Sequence, residues 1–346
     1  MELDSSFELE LELSSLPQEK WWGNNCLFQL GGFWHWPQTI QGVNRVIKHF
    51  QPLPSDIILA SFPKTGTTWL KALLYSIVNR SSRHRLTVDN PHTIIPTLEY
   101  DIYGTSHASA MPSSINHSRR ILSTHIPYQI LAKTLDSSEC RVVYVTRNPK
   151  DTLVSTWHFI NKSNKAKEEP WPFEVAVDNF CRGLIPYGPY YDNVMGYRKL
   201  SLDRPKYAHF LTYEELKNDP ITHVNKLAEF LGCPFDAEAQ VQEIVNGCSF
   251  QTLSNHQVNK SDGFPPRITM PSNSFFRKGV SGIIKNICLL RLSRELMHLP
   301  KRSFIPTGSS NGKSPMRRSE AAYDECLYII VLCTKINCVN LVCNNF

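Results

Sequence analysis

The chain has 346 residues, enough to bury a sizeable core as one domain or two. Its composition, 41% hydrophobic and 20% charged, is that of an ordinary soluble globular protein. The net charge of +6 favours an anionic partner only mildly, and Lys and Arg form no dense run, so neither nucleic-acid binding nor a membrane patch is expected.

The chain opens on "MELDSSFELELELSSLPQEK", which is acidic and has neither a basic start nor an uninterrupted apolar stretch, so no secretory signal is expected. Its "FELELELSSL" alternation fits a short strand or, the preferred reading, a loose solvated arm. The ten cysteines show no CxxC spacing, which points to thiols in a reducing compartment and a cytoplasmic location. Next comes "WWGNNCLFQLGGFWHWPQTIQGV". Its tryptophans are read first as an aromatic packing segment and second as the wall of a pocket for a flat apolar ligand.

Three later segments share one design. "DIILASF" leads into a loop and helix at 63–79, "RVVYVTR" (141–147) into "NPKDTLVSTWHF", and "KYAHFLTY" (206–213) into "EELKNDPITHVNKLAEFLGC". In the last, Val224, Leu227, Phe230 and Leu231 fall at helical spacing, and Asp151 in the second is placed to support a helix start. Apolar β-rich runs alternating with helices predict an α/β fold with a central, mainly parallel sheet covered on both faces. Its strand-to-helix loops then gather at the carboxyl edge, where such folds bind ligands.

Those loops suit anions. "PKTGTTW" brings Lys64, Thr65, Gly66, Thr67, Thr68 and Trp69 to a helix start, where unpaired N–H groups and the helix dipole attract phosphate or sulfate. It is not the ATP-binding GxxxxGK[ST] loop, because Lys64 precedes the only glycine. A threonine-capped helix start with an incidental lysine is the plainer alternative. Arg147 ends the second strand with Ser155 eight residues on, and "FFRKGVSGIIK" supplies Arg277, Lys278 and Gly279. Three anion-suited loops suggest a ligand with more than one anionic group. No His/Cys/Asp cluster has metal-ligand spacing, so no metal is expected.

At these residues the sequence resembles the cytosolic sulfotransferases, plant members above all, from about Trp34 to about Asn286. The resemblance rests on "FPKTGTTW", "STHIPY", "YVTRNPKDTLVS", "TYEEL" and "FFRKGVSGIIK", in order. It implies a P-loop-like three-layer fold and 3′-phosphoadenosine 5′-phosphosulfate (PAPS) as co-substrate. By that resemblance the loop from Lys64 to Trp69 holds the 5′-phosphosulfate, Lys64 stabilises the breaking S–O bond and Trp69 stacks on adenine. Arg147, Ser155, Arg277, Lys278 and Gly279 take the 3′-phosphate, and Tyr213 contacts the base. His125 is the general base for the acceptor hydroxyl. A histidine with a pKa of about 6.5 is largely neutral at working pH and can accept that proton.

The domains expected are an N-terminal arm and aromatic acceptor-side segment (1–54), a sulfotransferase domain (55–290) and an atypical tail (291–346). The implied activity is sulfonation of a small hydroxylated acceptor, such as a flavonoid or steroid, whose pocket draws on the Trp-rich segment and on loops near Tyr100–Tyr103 and Tyr187–Tyr191. The sequence departs from the family pattern where Ile283 and Ile284 replace Asp and Trp, and no KxxxTVxxxE dimerisation pattern is present, which leaves the oligomeric state open. A nucleotide-binding relative without turnover and, behind it, a P-loop kinase remain alternatives. The apolar end "CLYIIVLCTKINCVNLVCNNF" is interrupted by Lys335, Asn337 and Asn340, and a membrane anchor is not expected from it.

Overall fold

A computed structural model describes residues 13–104, 119–163, 169–263, 270–279 and 282. The first twelve residues, Ile283 to Asn286 and the tail from 291 onward lie outside the described residues.

The Trp-rich segment forms a small antiparallel sheet, β1 (Gln18–Trp22), β2 (Asn25–Leu30) and β3 (Phe33–His35), followed by helix α1 (Pro37–His49). Gly31 and Gly32, both at positive φ, make the two-residue turn between β2 and β3. A register irregularity between Lys20 and Trp22 lets the neighbouring Trp21 and Trp22 both be buried. Trp21 packs on Trp36 (4.8 Å between ring centroids) and on the fully buried Trp171 (4.4 Å). Through Trp21 and Trp36, packed with Trp171 from later in the chain, the segment is a packing device.

The main sheet is built from β4 (Ile57–Ser61), which runs into helix α2 (Thr67–Val78), β5 (Ile121–Thr124), β6 (Arg141–Thr146), which precedes helix α3 (Pro149–Ser163), and β7 (Ala208–Thr212). The strand order is β5-β4-β6-β7, all parallel. Ile57, Leu59, Val143, Val145 and Leu211 pack with Leu70, Leu73, Leu74 and Ile77 of α2. Ile58, Ala60, Val142 and Tyr144 face the opposite core, which includes Val194 and Tyr197 of helix α4 (Tyr190–Asp203). Helices on both faces explain why these strands read as unbroken apolar runs.

All three expected strand-loop-helix units are present, with β5 as a fourth strand. The helix expected after β7 is two, α5 (Tyr213–Asn218) and α6 (Pro220–Phe230), because Asp219 caps a new helix that Pro220 begins. The chain leaves β4 for the edge strand β5 and returns across it to β6. β4 therefore stands at the switch point of the sheet, with a crevice beyond its carboxyl end. Among the described residues no helix is long and apolar enough to cross a membrane.

Candidate active site

The loop after β4 is tightly constrained. Lys64 holds a left-handed φ of 71° and Gly66 a φ of 121°. A Cβ on Gly66 would lie 2.9 Å from Tyr213 Cδ2, so this position needs glycine for space as well as for backbone angle. The buried Thr65 hydroxyl is turned into the fold, toward the carbonyls of Phe62 (2.7 Å) and Val145 (3.0 Å), and ties the loop to β6. Thr67 Oγ1 pairs with Ser61 Oγ at 2.7 Å, and Thr68 Oγ1 meets His92 Nε2 at 2.8 Å. The first-turn N–H groups of α2 remain for a ligand, beside the Lys64 ammonium.

Cations from separate elements converge on that ammonium. Lys64 Nζ lies 3.7 Å from the centroid of the Phe159 ring and 5.7 Å from that of Phe275. Desolvation, reinforced by Arg277, Arg147 and Lys162, lowers its pKa from 10.5 to about 7. The buried Arg147 guanidinium lies 4.7 Å from the centroid of the Tyr213 ring and 3.8 Å from Asp151. Asp151 also accepts the Gly282 N–H at 2.7 Å, which links the Gly-rich motif to α3. Burial and Arg147 lower the pKa of Arg277. Lys217 Nζ donates to the Gly279 carbonyl at 3.1 Å. Ser155, partly exposed, follows Asp151 by one turn of α3, whereas Lys278 is exposed. Trp69 touches Tyr213 edge-on at 5.4 Å. The sequence reading brought out Arg147 and Arg277 but not Lys162, whose signal was its place seven residues after Ser155 on one helix face.

His125 follows the last residue of β5 and faces the same crevice from the other side. Its Nδ1 lies 2.7 Å from the Ser61 carbonyl, which only accepts, so Nδ1 carries the proton and the Nε2 lone pair is left open. Burial lowers its pKa to about 4 against the opposing pull of the Ser61 hydrogen bond, so the imidazole is neutral near pH 7. Glu99 fixes the backbone beneath, accepting from His125 N (2.8 Å) and Thr124 Oγ1 (2.9 Å). Burial raises the Glu99 pKa to about 7. Tyr187 packs 5.5 Å from the His125 ring and 5.2 Å from the buried His35, and its hydroxyl donates to Tyr100 Oη at 2.8 Å. One aromatic thus brings the N-terminal sheet, the π-helical turn at Tyr100 (Leu98–Ile102) and His125 together. Glu99 escaped the sequence reading because it serves a backbone N–H and a hydroxyl from that short π-helical turn, which carries no motif.

A profile of the sulfotransferase domain matches residues 54–287. The chain belongs to the sulfotransferase family. Cytosolic sulfotransferase 12 of Arabidopsis thaliana is 38% identical over 314 residues, which cover 88% of this chain and 94% of that protein. Among solved structures, a plant sulphotransferase from Arabidopsis thaliana superposes with a TM-score of 0.61 at 37% identity, over 74% of this chain and 90% of the other. A mouse sulfotransferase solved with PAP superposes with a TM-score of 0.60 at 25% identity, over 79% and 92%. This sulfotransferase is therefore an enzyme that moves a sulfonate group to a hydroxyl acceptor, on a three-layer α/β scaffold. No group of three or more His, Cys, Asp or Glu with metal-binding geometry occurs among the described residues.

Proposed function

We infer that the sulfonate donor is PAPS and that the acceptor is a small, flat or apolar hydroxylated metabolite of the flavonoid or steroid kind, sulfonated in the cytosol. The observation that carries this reading is the pairing of an open histidine lone pair with a cation-lined anion loop through one residue. Ser61 holds His125 Nδ1 by its carbonyl and Thr67 by its hydroxyl, so base and donor loop are set from the same strand end. The residues fit an elongated polyanion: Lys64 and the α2 start at one end, Arg147, Ser155, Arg277, Lys278 and Gly279 at the other, with Trp69 and Tyr213 between them for the base. Thr65 serves this grip by fixing the loop, through its ties to Phe62 and Val145.

PAPS supplies the sulfonate group. The acceptor oxygen attacks sulfur, its proton passes to His125 Nε2, and the O–S bond forms as the S–O bond to the departing phosphate breaks. The Lys64 ammonium balances charge left on that phosphate oxygen, and catalysis rests on positioning and charge stabilisation, as in phosphoryl transfer. Tyr187, Tyr100 and the N-terminal sheet supply the acceptor wall.

The test is incubation of the purified protein with radiolabelled PAPS and a panel of hydroxylated acceptors. Label on at least one acceptor is expected. Tight binding of adenosine 3′,5′-bisphosphate (PAP) without transfer to any acceptor would instead select a nucleotide-binding relative that lacks turnover.

A further inference from the structure

A hydrogen-bonded chain runs behind the donor loop, and the mechanism above does not use it. Lys71, on α2 and almost fully buried, extends its Nζ to three acceptors: the Ile95 carbonyl (2.8 Å), Thr97 Oγ1 (3.3 Å) and His92 Nδ1 (3.1 Å). An ammonium has three hydrogens and no lone pair, so these contacts use all its donors and oblige His92 Nδ1 to accept. The proton of the neutral imidazole therefore sits on Nε2 and is donated to Thr68 Oγ1 at 2.8 Å.

The two ends of this chain are electrically distinct. Burial lowers the His92 pKa well below its usual value and holds the ring neutral. The Lys71 pKa is lowered to about 8 by burial, with Asp101 and Glu99 opposing, which leaves the ammonium as its main form at neutral pH. The imidazole is fixed in plane as well. Phe275 stacks on it at 4.0 Å, and Asn90 Oδ1 accepts the His92 backbone N–H at 2.9 Å. The Lys64 ammonium lies 5.7 Å from that same Phe275 ring, so the chain ends beside the donor loop.

With its oxygen already accepting from His92, the Thr68 hydroxyl has its own hydrogen left to give. We propose that Lys71 and His92 are positioning residues that lock the His92 tautomer and thereby hold Thr68 as a dedicated hydrogen-bond donor to the 5′ anionic end of the donor nucleotide. This rests on the PAPS reading and deepens it: two residues outside the anion loop set the polarity of one of its hydroxyls. A hydroxyl otherwise rotates to suit its neighbours. Here the direction is imposed before the ligand arrives, so its ordering is not charged to binding.

The experiment measures calorimetric affinity for PAP and for adenosine 3′-monophosphate, which lacks the 5′ group. His92→Phe is expected to weaken PAP by about tenfold, the worth of a hydrogen bond to a charged group, and to leave adenosine 3′-monophosphate within about twofold. His92→Gln keeps an acceptor toward Lys71 and a donor toward Thr68 on one amide, and should restore most of the PAP affinity. In a Thr68→Val background, His92→Phe should have almost no further effect, because its influence passes through that hydroxyl. Equal weakening of both nucleotides by His92→Phe, or additive losses in the double variant, would overturn the proposal in favour of a packing role. Failure of the unaltered protein to bind PAP would overturn the donor reading itself, and the proposal with it.

Discussion

The two edges of the main sheet handle charge in opposite ways. At the amino edge, the fully buried Asp56 accepts from Arg120 Nε (2.6 Å) and Nη2 and from the Leu53 N–H (2.8 Å), so charge is cancelled where it is buried. The cavity at that edge also mixes signs, with Glu139 and Glu229 beside Arg141 and Lys206. At the carboxyl edge, Lys64, Arg147, Lys162 and Arg277 crowd together, and burial, reinforced by the neighbouring cations, lowers the Lys64 pKa. Asp151 and Glu214 offset them only in part. The comparison separates two uses of a buried charge. A matched pair specifies the fold, whereas a held excess of one sign is a site that an anion completes.

The sharpest probe of the carboxyl edge is His125→Ala, expected to lower kcat by about 10³-fold in a sulfonation assay while PAP affinity stays within about threefold. A retained rate would remove the base from the mechanism. Asp56→Ala tests the amino edge: it leaves Arg120 facing an emptied site and should cost about 3 kcal/mol of stability in urea unfolding. PAP affinity of the folded protein should be unchanged, and a matching loss of affinity would show that the edges are coupled. Arg277→Met should weaken PAP by about 30-fold and flatten the salt dependence of binding, without lowering the melting temperature of the ligand-free protein. Arg147→Met should weaken PAP similarly and also lower stability, because it removes a partner of the buried Asp151.

The smallest effect is that of pH. Lys64 titrates at about 7 in the folded protein against 10.5 as its ordinary value, so between these pH values the unfolded chain holds more protons. Stability of the ligand-free protein should therefore rise with pH across that window, while the full penalty applies below it. An anion binds the protonated form, so PAP affinity should fall about fivefold from pH 7 to pH 8, with proton uptake visible by calorimetry in buffers of different ionisation enthalpy. A flat profile would show that Lys64 remains fully charged, and that burial and crowding at this edge act on it less than the geometry suggests.

What was legible in the sequence follows from the same architecture. β4, β6 and β7 stood out because burial on both faces writes an apolar run, and the loops after them carried the basic residues that motif spacing brings into view. β5 was overlooked because it is only four residues long and ends in Ser123 and Thr124, whose hydroxyls are satisfied inside the fold. The N-terminal sheet was legible and was not read: the Gly31–Gly32 pair between apolar runs is a hairpin signal that the tryptophans overshadowed. The region of Tyr187 was legible as an acceptor-side loop, but Glu99 and the His92–Lys71 pair were beyond reach, since each acts on a partner distant in the chain. The left-handed backbone at Lys64 was equally hidden, because no residue type announces it.

Beneath the crevice, Tyr213 touches Trp69, underlies the Arg147 guanidinium and fills the space a side chain at Gly66 would need. A single ring thereby sits between the anion loop and Arg147, so on the proposed reading the spacing of the two ends of the ligand site would be set by the folded core instead of a loop choice. With PAPS as donor, the protein would work as a calliper for its ligand. Nucleotides carrying all their phosphates at one end should accordingly be poor competitors against PAP, whatever their total charge.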